Sequence, residues 1–209
     1  ETCRIDDEEL AIMIEGNSKR NREYKPLKNH IFTNGKFSLR TIGDLDIEKI
    51  RVWRNAQINI LRQPKPISRS EQAKYFDKSV WPQMKLDYPN NILLAFEYDG
   101  VLIGYGGLVH ISWIDLRSEI SFLLNPEHVE DDEVYKIYFS EFLDLIKSIS
   151  YSILGFNRLF TETFEFRALH ISVLESKGFI LEGVMLKHII FDGKSINSLI
   201  HGCIKNDAR

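Results

Sequence analysis

The sequence predicts a single α/β domain with a mixed central sheet covered by helices on both faces. Three observations carry that reading. Strand and helix signals alternate from Lys36 to the end of the chain. Hydrophobic residues make up 44% of 209 residues, with thirteen Phe, eight Tyr and three Trp, enough large apolar side chains to fill one core. Two turn signals, Asp99-Gly100 and Asp192-Gly193, join neighbouring apolar runs as antiparallel hairpins.

Taken in order, Asp6–Glu15 reads as a short helix and Gly16–Asn34 as a polar stretch punctuated by Pro26 and Gly35. Residues 1–35 are therefore set apart as an N-terminal appendage or linker, and residues 36–209 as the domain. Phe37–Arg40 reads as a strand, and Asp44 starts a helix that runs to about Arg54. Ser68 and Glu71 form an S-x-x-E capping box that opens a second helix through Tyr75 and Phe76. Ile92–Tyr98 and Val101–His110 are the two arms of the first hairpin. Glu119–Leu124 is a further strand, stopped by Asn125-Pro126. A long helix from about Val134 to Ile149 places Val134, Tyr138, Phe142, Leu145 and Ile149 on one face. Arg158–Thr163 is a strand, Ala168–Lys177 a helix closed by Gly178, and the last two strands flank Asp192-Gly193. Alternating strands and helices of this kind bury their apolar faces as a layered sheet.

Composition excludes several functions. Twenty-seven basic and thirty acidic residues give a formal charge of −3, without the cationic surplus that displaces counterions from nucleic acid. Two cysteines, Cys3 and Cys203, stand at opposite ends with neither metal-ligand nor disulfide spacing, and Cys203 lies in an apolar run as a small hydrophobe. No metal site is expected. No apolar run reaches the roughly 18 residues of a spanning helix and no signal-peptide pattern opens the sequence, so no membrane partner is expected and a reducing, cytoplasmic setting is the default.

Several local sequences resemble one family. Trp53-Arg54-Asn55 follows the first helix. Gly104-Tyr105-Gly106-Gly107-Leu108 and Arg117-Ser118-Glu119-Ile120-Ser121-Phe122-Leu123-Leu124-Asn125-Pro126 are similar to a third and fourth strand. The segment Leu174-Glu175-Ser176-Lys177-Gly178-Phe179-Ile180-Leu181-Glu182-Gly183 is similar to L-E-K-x-G-F-x-x-E-G. Together with the element order, these resemble the GNAT N-acetyltransferases over about residues 36–205, in particular the branches that act on protein N-termini and on nucleotide-linked amino sugars.

The resemblance implies an acyl-CoA-dependent N-acetyltransferase, with acetyl-CoA or another acyl-CoA as co-substrate and a small amine as acceptor. It implies that the fourth and fifth strands splay apart and that exposed backbone groups pair with the pantetheine arm. It places Phe122, Leu123, Leu124, Val134 and Arg167 at the cofactor, with Arg167 either donating to a phosphate or standing in solvent. It makes Glu119 the candidate base, against the alternative of a strand-end carboxylate paired with Arg117 or a neighbour, and puts a bulge amide near Phe122–Leu124 at the carbonyl oxygen. Arg54, Asn55, Arg62 and His110 are placed on the acceptor side, where the arginines suit an anionic acceptor. A nucleotide-linked amino sugar is preferred to a protein N-terminus.

Three positions depart from the pattern. Leu174 stands where many members carry a Tyr that reprotonates the thiolate, so no general acid is assigned. Arg167 replaces an Asn, and His170 falls where relatives carry a small polar residue. The pyrophosphate loop, Q/R-x-x-G-x-G/A in the family, is here Val129-Glu130-Asp131-Asp132-Glu133-Val134, with five carboxylates between Glu127 and Glu133. Their charge repels a diphosphate. That keeps open a binding module without catalysis, or a smaller acyl donor lacking the nucleotide. A homodimer, or fusion to a preceding domain, is also left open.

Overall fold

The computed structural model describes residues 22–61 and 63–205. The helix expected over Asp6–Glu15, and the candidate acceptor residue Arg62, lie outside the described residues. Eight strands form one sheet: β1 (Ile31–Asn34), β2 (Phe37–Thr41), β3 (Ile92–Tyr98), β4 (Val101–Ser112), β5 (Arg117–Leu124), β6 (Arg158–Phe164), β7 (Ile180–Phe191) and β8 (Lys194–Ile204), in spatial order β1-β2-β3-β4-β5-β6-β8-β7. All neighbours are antiparallel except β5 and β6.

The helices are α1 (Ile47–Ala56), α2 (Arg69–Tyr75), α3 (Trp81–Met84), α4 (Asp132–Ser148) and α5 (Ala168–Ser176). Ser68 caps α2 as its sequence implies, accepting from Glu71 N while the Glu71 carboxylate accepts from Ser68 N. Gly178 follows α5 with φ +82°, the left-handed conformation that ends a helix at little cost only for glycine.

The described residues ahead of Lys36 are built into the molecule. Tyr24 and Leu27 are buried in the main core, Tyr24 Oη accepts from Leu93 N, and β1 pairs with β2 through a turn at Gly35. Trp81 sits in α3, buried beneath the Arg22 guanidinium at 3.9 Å from the ring centroid.

Side-chain alternation fixes what each face of the sheet meets. Tyr105 of β4 reaches α1 through Arg54, whereas a Cβ on Gly106 would strike the Phe142 ring of α4. On β5, Phe122 opposes Gly106 and packs on Phe139 and Phe142 with ring centroids at 4.7 and 4.6 Å. Ile120 and Leu124 share the Phe122 face and Glu119, Ser121 and Leu123 the other. The buried stripe of α4 is Tyr135, Phe139, Phe142, Leu143, Leu145 and Ile146. It is rotated from the expected face: Val134 and Tyr138 lie at its half-buried margin. A π turn over Ile149–Ile153 extends α4 past Ser148, with Ser150 Oγ donating to Ile146 O.

Candidate active site

The decisive feature is a fork in the sheet. β5 and β6 are paired only at Arg117–Arg158, Ser118–Leu159 and Glu119–Phe160, and both strands continue beyond that point without pairing to each other. In the β4–β5 ladder, Asn125 N donates to Ile103 O. Antiparallel alternation therefore turns the backbone groups of Leu123, Ser121 and Glu119 toward β4, and those of Leu124, Phe122 and Ile120 toward the gap. Of these, Leu124 O accepts from Gln57 Nε2 at 2.7 Å. The Glu119–Phe160 bridge takes the Ile120 N–H, so the gap is edged by the Ile120 carbonyl and the Phe122 and Leu124 backbone groups, which have no β6 partner among the described residues. Of the residues the resemblance implies at the cofactor, Phe122 and Leu124 turn their backbone groups to the gap, whereas Leu123 turns its backbone to Tyr105.

A cavity of about 270 Å³ fills the fork. Its walls include Leu61 and Glu119 on one side of the sheet and Phe139, Arg167 and His170 on the other, so it passes through the sheet. A larger chamber of about 470 Å³ lies on the α1–α2 side and shares Val109 and Ser121 with it.

Glu119 is the last β5 residue paired to β6 and sits at the apex. Its carboxylate bonds a neighbour, His110 Nδ1, at 2.7 Å, while Arg117 pairs with Asp115 at 3.4 Å. His110 is in the left-handed region at φ +50°, where the β4–β5 register breaks. A non-glycine residue held there costs roughly 1–3 kcal/mol, a strain that needs a reason in function or packing. The His110 ring is largely exposed, so packing is a weak reason.

The chamber has a built wall. Arg54 donates from Nε to Gln63 and from Nη1 to Tyr105 Oη at 2.8 Å, so its guanidinium is fixed against the chamber. Asn55 plays a different part. Its amide donates to Ile67 O and its oxygen accepts from Gln63 and from Ile67 N, which clamps the 63–67 loop and leaves little for a ligand.

The N-terminus of α4 is already occupied. Asp131 caps it, its Oδ1 accepting from Glu133 N at 2.9 Å and Val134 N at 3.1 Å. Helix N-termini bind anions through such free N–H groups. Here the protein's own carboxylate takes two of them, including the Val134 amide.

On the opposite wall, Tyr135 Oη lies 2.7 Å from His170 Nδ1 and accepts from Arg167 Nη2 at 3.1 Å. The His170 ring stacks on Phe139 at 4.2 Å. Burial, then the charges of Arg167 and His201, push the His170 pKa well below 6.5, and burial raises that of Tyr135. Leu174 is fully buried.

The model of the acetyltransferase (GNAT) domain matches residues 39–200. The chain belongs to this GNAT acetyltransferase family. As a member it is an N-acetyltransferase with acetyl-CoA as its donor. The spermidine N-acetyltransferase of Vibrio cholerae, solved with CoA and spermine, superposes with a TM-score of 0.70 at 18% identity, over 82% of this chain and 96% of that one. A dodecameric form of that enzyme gives 0.66 at 18%, over 82% and 95%. A protein described as a probable acetyltransferase gives 0.63 at 17%, over 84% and 97%. No curated protein matches the chain in sequence.

This GNAT domain fits acetyl-CoA unevenly. The open strand edges suit the amide-bearing arm, whereas the capped, acidic start of α4 does not offer the diphosphate its usual amides. Among the described residues no group of three or more His, Cys, Asp or Glu is placed to hold a metal, and no helix is long and apolar enough to cross a membrane. Sequence reasoning passed over Tyr135 and gave His170, noted there as a departure from the family pattern, no role. The Tyr135–Phe139 and Arg167–His170 spacings, one helical turn each, set side chains on one face of each segment but do not announce that the two segments pack together.

Proposed function

We propose that this GNAT domain acetylates the amine of a small anionic acceptor, with a nucleotide-linked amino sugar as the preferred class, and that Glu119 is the base. The observation that carries this reading is the Glu119–His110 pair at the apex of the fork, between the arm-binding gap and the Arg54 chamber. Glu119 shares its sheet face with Ser121 of the chamber, so an amine entering from the α1–α2 side meets the carboxylate first. Glu119 accepts the amine proton as the nitrogen attacks, and His110 orients the carboxylate and shares its charge. The free strand amide at Phe122 supplies a donor for the carbonyl oxygen.

Acetyl-CoA brings the activated thioester; the chain supplies alignment, the base and a partly dry slot. The chamber also argues for the acceptor's charge. Arg54 and Lys65 line it, and its one carboxylate among the described residues, Glu71, is bonded to Lys65 and to Ser68 N. A polyamine such as spermidine, the substrate named for the Vibrio enzyme, would face cations without an unpaired carboxylate.

Calorimetry with acetyl-CoA, followed by turnover on a UDP-linked amino sugar and on spermidine, tests this. Saturable acetylation of the sugar with no spermidine product is expected. Glu119→Gln should lower turnover by about 10²-fold or more, with the acetyl-CoA Kd unchanged. Preferred spermidine acetylation would overturn the acceptor class, and unimpaired turnover in Glu119→Gln would remove the base.

A further inference from the structure

From the wall facing Glu119, we infer that Tyr135, His170 and Arg167 form a proton relay that serves the leaving sulfur; this rests on the transferase reading above. The fork cavity has two faces. Glu119 and His110 approach it from the α1–α2 side, and the α4–α5 side presents Arg167, Phe139 and His170. The proton lost by the acceptor and the proton gained by the leaving group are thereby handled from opposite faces. Leu174 supplies no acid, being apolar and buried.

The hydrogen-bond geometry suits one placement of the protons. Arg167 Nη2 donates to Tyr135 Oη, so that oxygen is already accepting. The tyrosine's own hydrogen has one acceptor among the described residues, His170 Nδ1 at 2.7 Å. His170 is held neutral by its surroundings, so its proton resides on Nε2, which has no hydrogen-bond partner among the described residues. Stacking on Phe139 fixes the ring plane in the cavity wall.

The step balances. As the C–S bond breaks, His170 passes the Nε2 proton to the sulfur and takes the Tyr135 proton at Nδ1. The imidazole ends neutral in its other tautomer, and Tyr135 is left as a phenolate beside the Arg167 guanidinium. Tyr135 is thus the ultimate proton source, and Arg167 the counter-charge beside the transient phenolate, opposing the burial that raises the Tyr135 pKa. His170 touches the sulfur; Tyr135 and Arg167 are positioning residues. The groups facing His170 are Tyr135 and Phe139 from α4, Arg167 before α5 and His201 from β8.

Nitrogen NMR of histidine-labelled protein tests the relay without any acceptor. His170 should be in the Nε2–H tautomer and remain neutral as the pH falls through 6.5. Adding CoA should shift the Nε2 resonance and leave the Nδ1 signature in place. Tyr135→Phe should release the tautomer preference, and should lower kcat for acetyl transfer about 10²-fold with KM for acetyl-CoA held. An Nδ1–H tautomer in the parent protein overturns the relay, as does CoA binding seen elsewhere in the spectrum with Nε2 unmoved. Absence of any shift with millimolar CoA overturns the transferase reading itself.

Discussion

The two ends of the donor site are built on opposite principles. At the fork, β5 offers backbone groups that the fold leaves for something else to pair. At the start of α4, the amides that would do the same for a phosphate are closed by Asp131 and ringed by carboxylates. A buried or half-buried polar edge without a partner is costly, so the fork gains on binding; the helix end, already satisfied, gains nothing and meets like charge. On the site proposed above, the contrast predicts that affinity for the donor resides in the arm and the acyl group rather than in the diphosphate.

The largest effect belongs to the fork's far wall. The His170 pKa is depressed in the folded protein while the unfolded chain keeps about 6.5. Below pH 6.5 the unfolded state therefore binds a proton that the native state refuses, and stability falls as pH falls, approaching about 1.4 kcal/mol per pH unit. His170→Gln should flatten that slope in the window above the carboxylate titrations. Urea melts of both proteins across the window measure it, and parallel slopes would mean that His170 is not the buried neutral group described here.

A smaller effect tests the other end directly. Asp131→Ala removes the cap and should cost about 1 kcal/mol of stability. The same change frees Glu133 N and Val134 N and deletes one repelling charge, so CoA affinity should rise about tenfold, the equivalent of roughly 1.4 kcal/mol. Stability and affinity move in opposite directions. Loss of both would show that the mouth, as it stands, contributes to binding.

Most of the fold is legible in the sequence because its signals are local. The Ser68–Glu71 box, the Asp99-Gly100 turn and the glycine after α5 each act within a few residues, and each stands where it was expected. β1 escaped because its four residues, Ile31–Asn34, alternate weakly and are stabilised by pairing with β2 rather than by burial. The face of α4 was misjudged by a fraction of a turn, since Tyr135, whose ring is buried and hydroxyl bonded, reads as amphipathic in sequence. The site divides the same way. Glu119 at the end of a strand is visible, but its pairing with His110 depends on an irregularity between Val109 and Ser112 that no local pattern announces. Asn55 looked like an acceptor ligand because side-chain chemistry alone cannot tell a free amide from one already bonded to Ile67 and Gln63. His170 needs two helices in contact before it has any meaning.

The smallest effect is also the most specific to the asymmetry. The carboxylates about the start of α4 are exposed, and among the described residues the ion pair there is that of Glu133 with Lys136 at 2.6 Å. Repulsion between exposed charges is screened over a Debye length of about 10 Å at 0.1 M salt and about 3 Å at 1 M. An ordinary cationic phosphate site loses affinity as salt rises. This one should gain, by roughly two- to threefold for acetyl-CoA between low salt and a few tenths molar. Acetyl-pantetheine, which carries the same arm and acyl group without the diphosphate, should show no such rise, because nothing of it reaches the acidic mouth. Calorimetric titrations of both donors at two salt concentrations compare the slopes directly. A fall in acetyl-CoA affinity with salt would place attractive cations around the diphosphate and return the binding energy to the end of the site assigned here to repulsion.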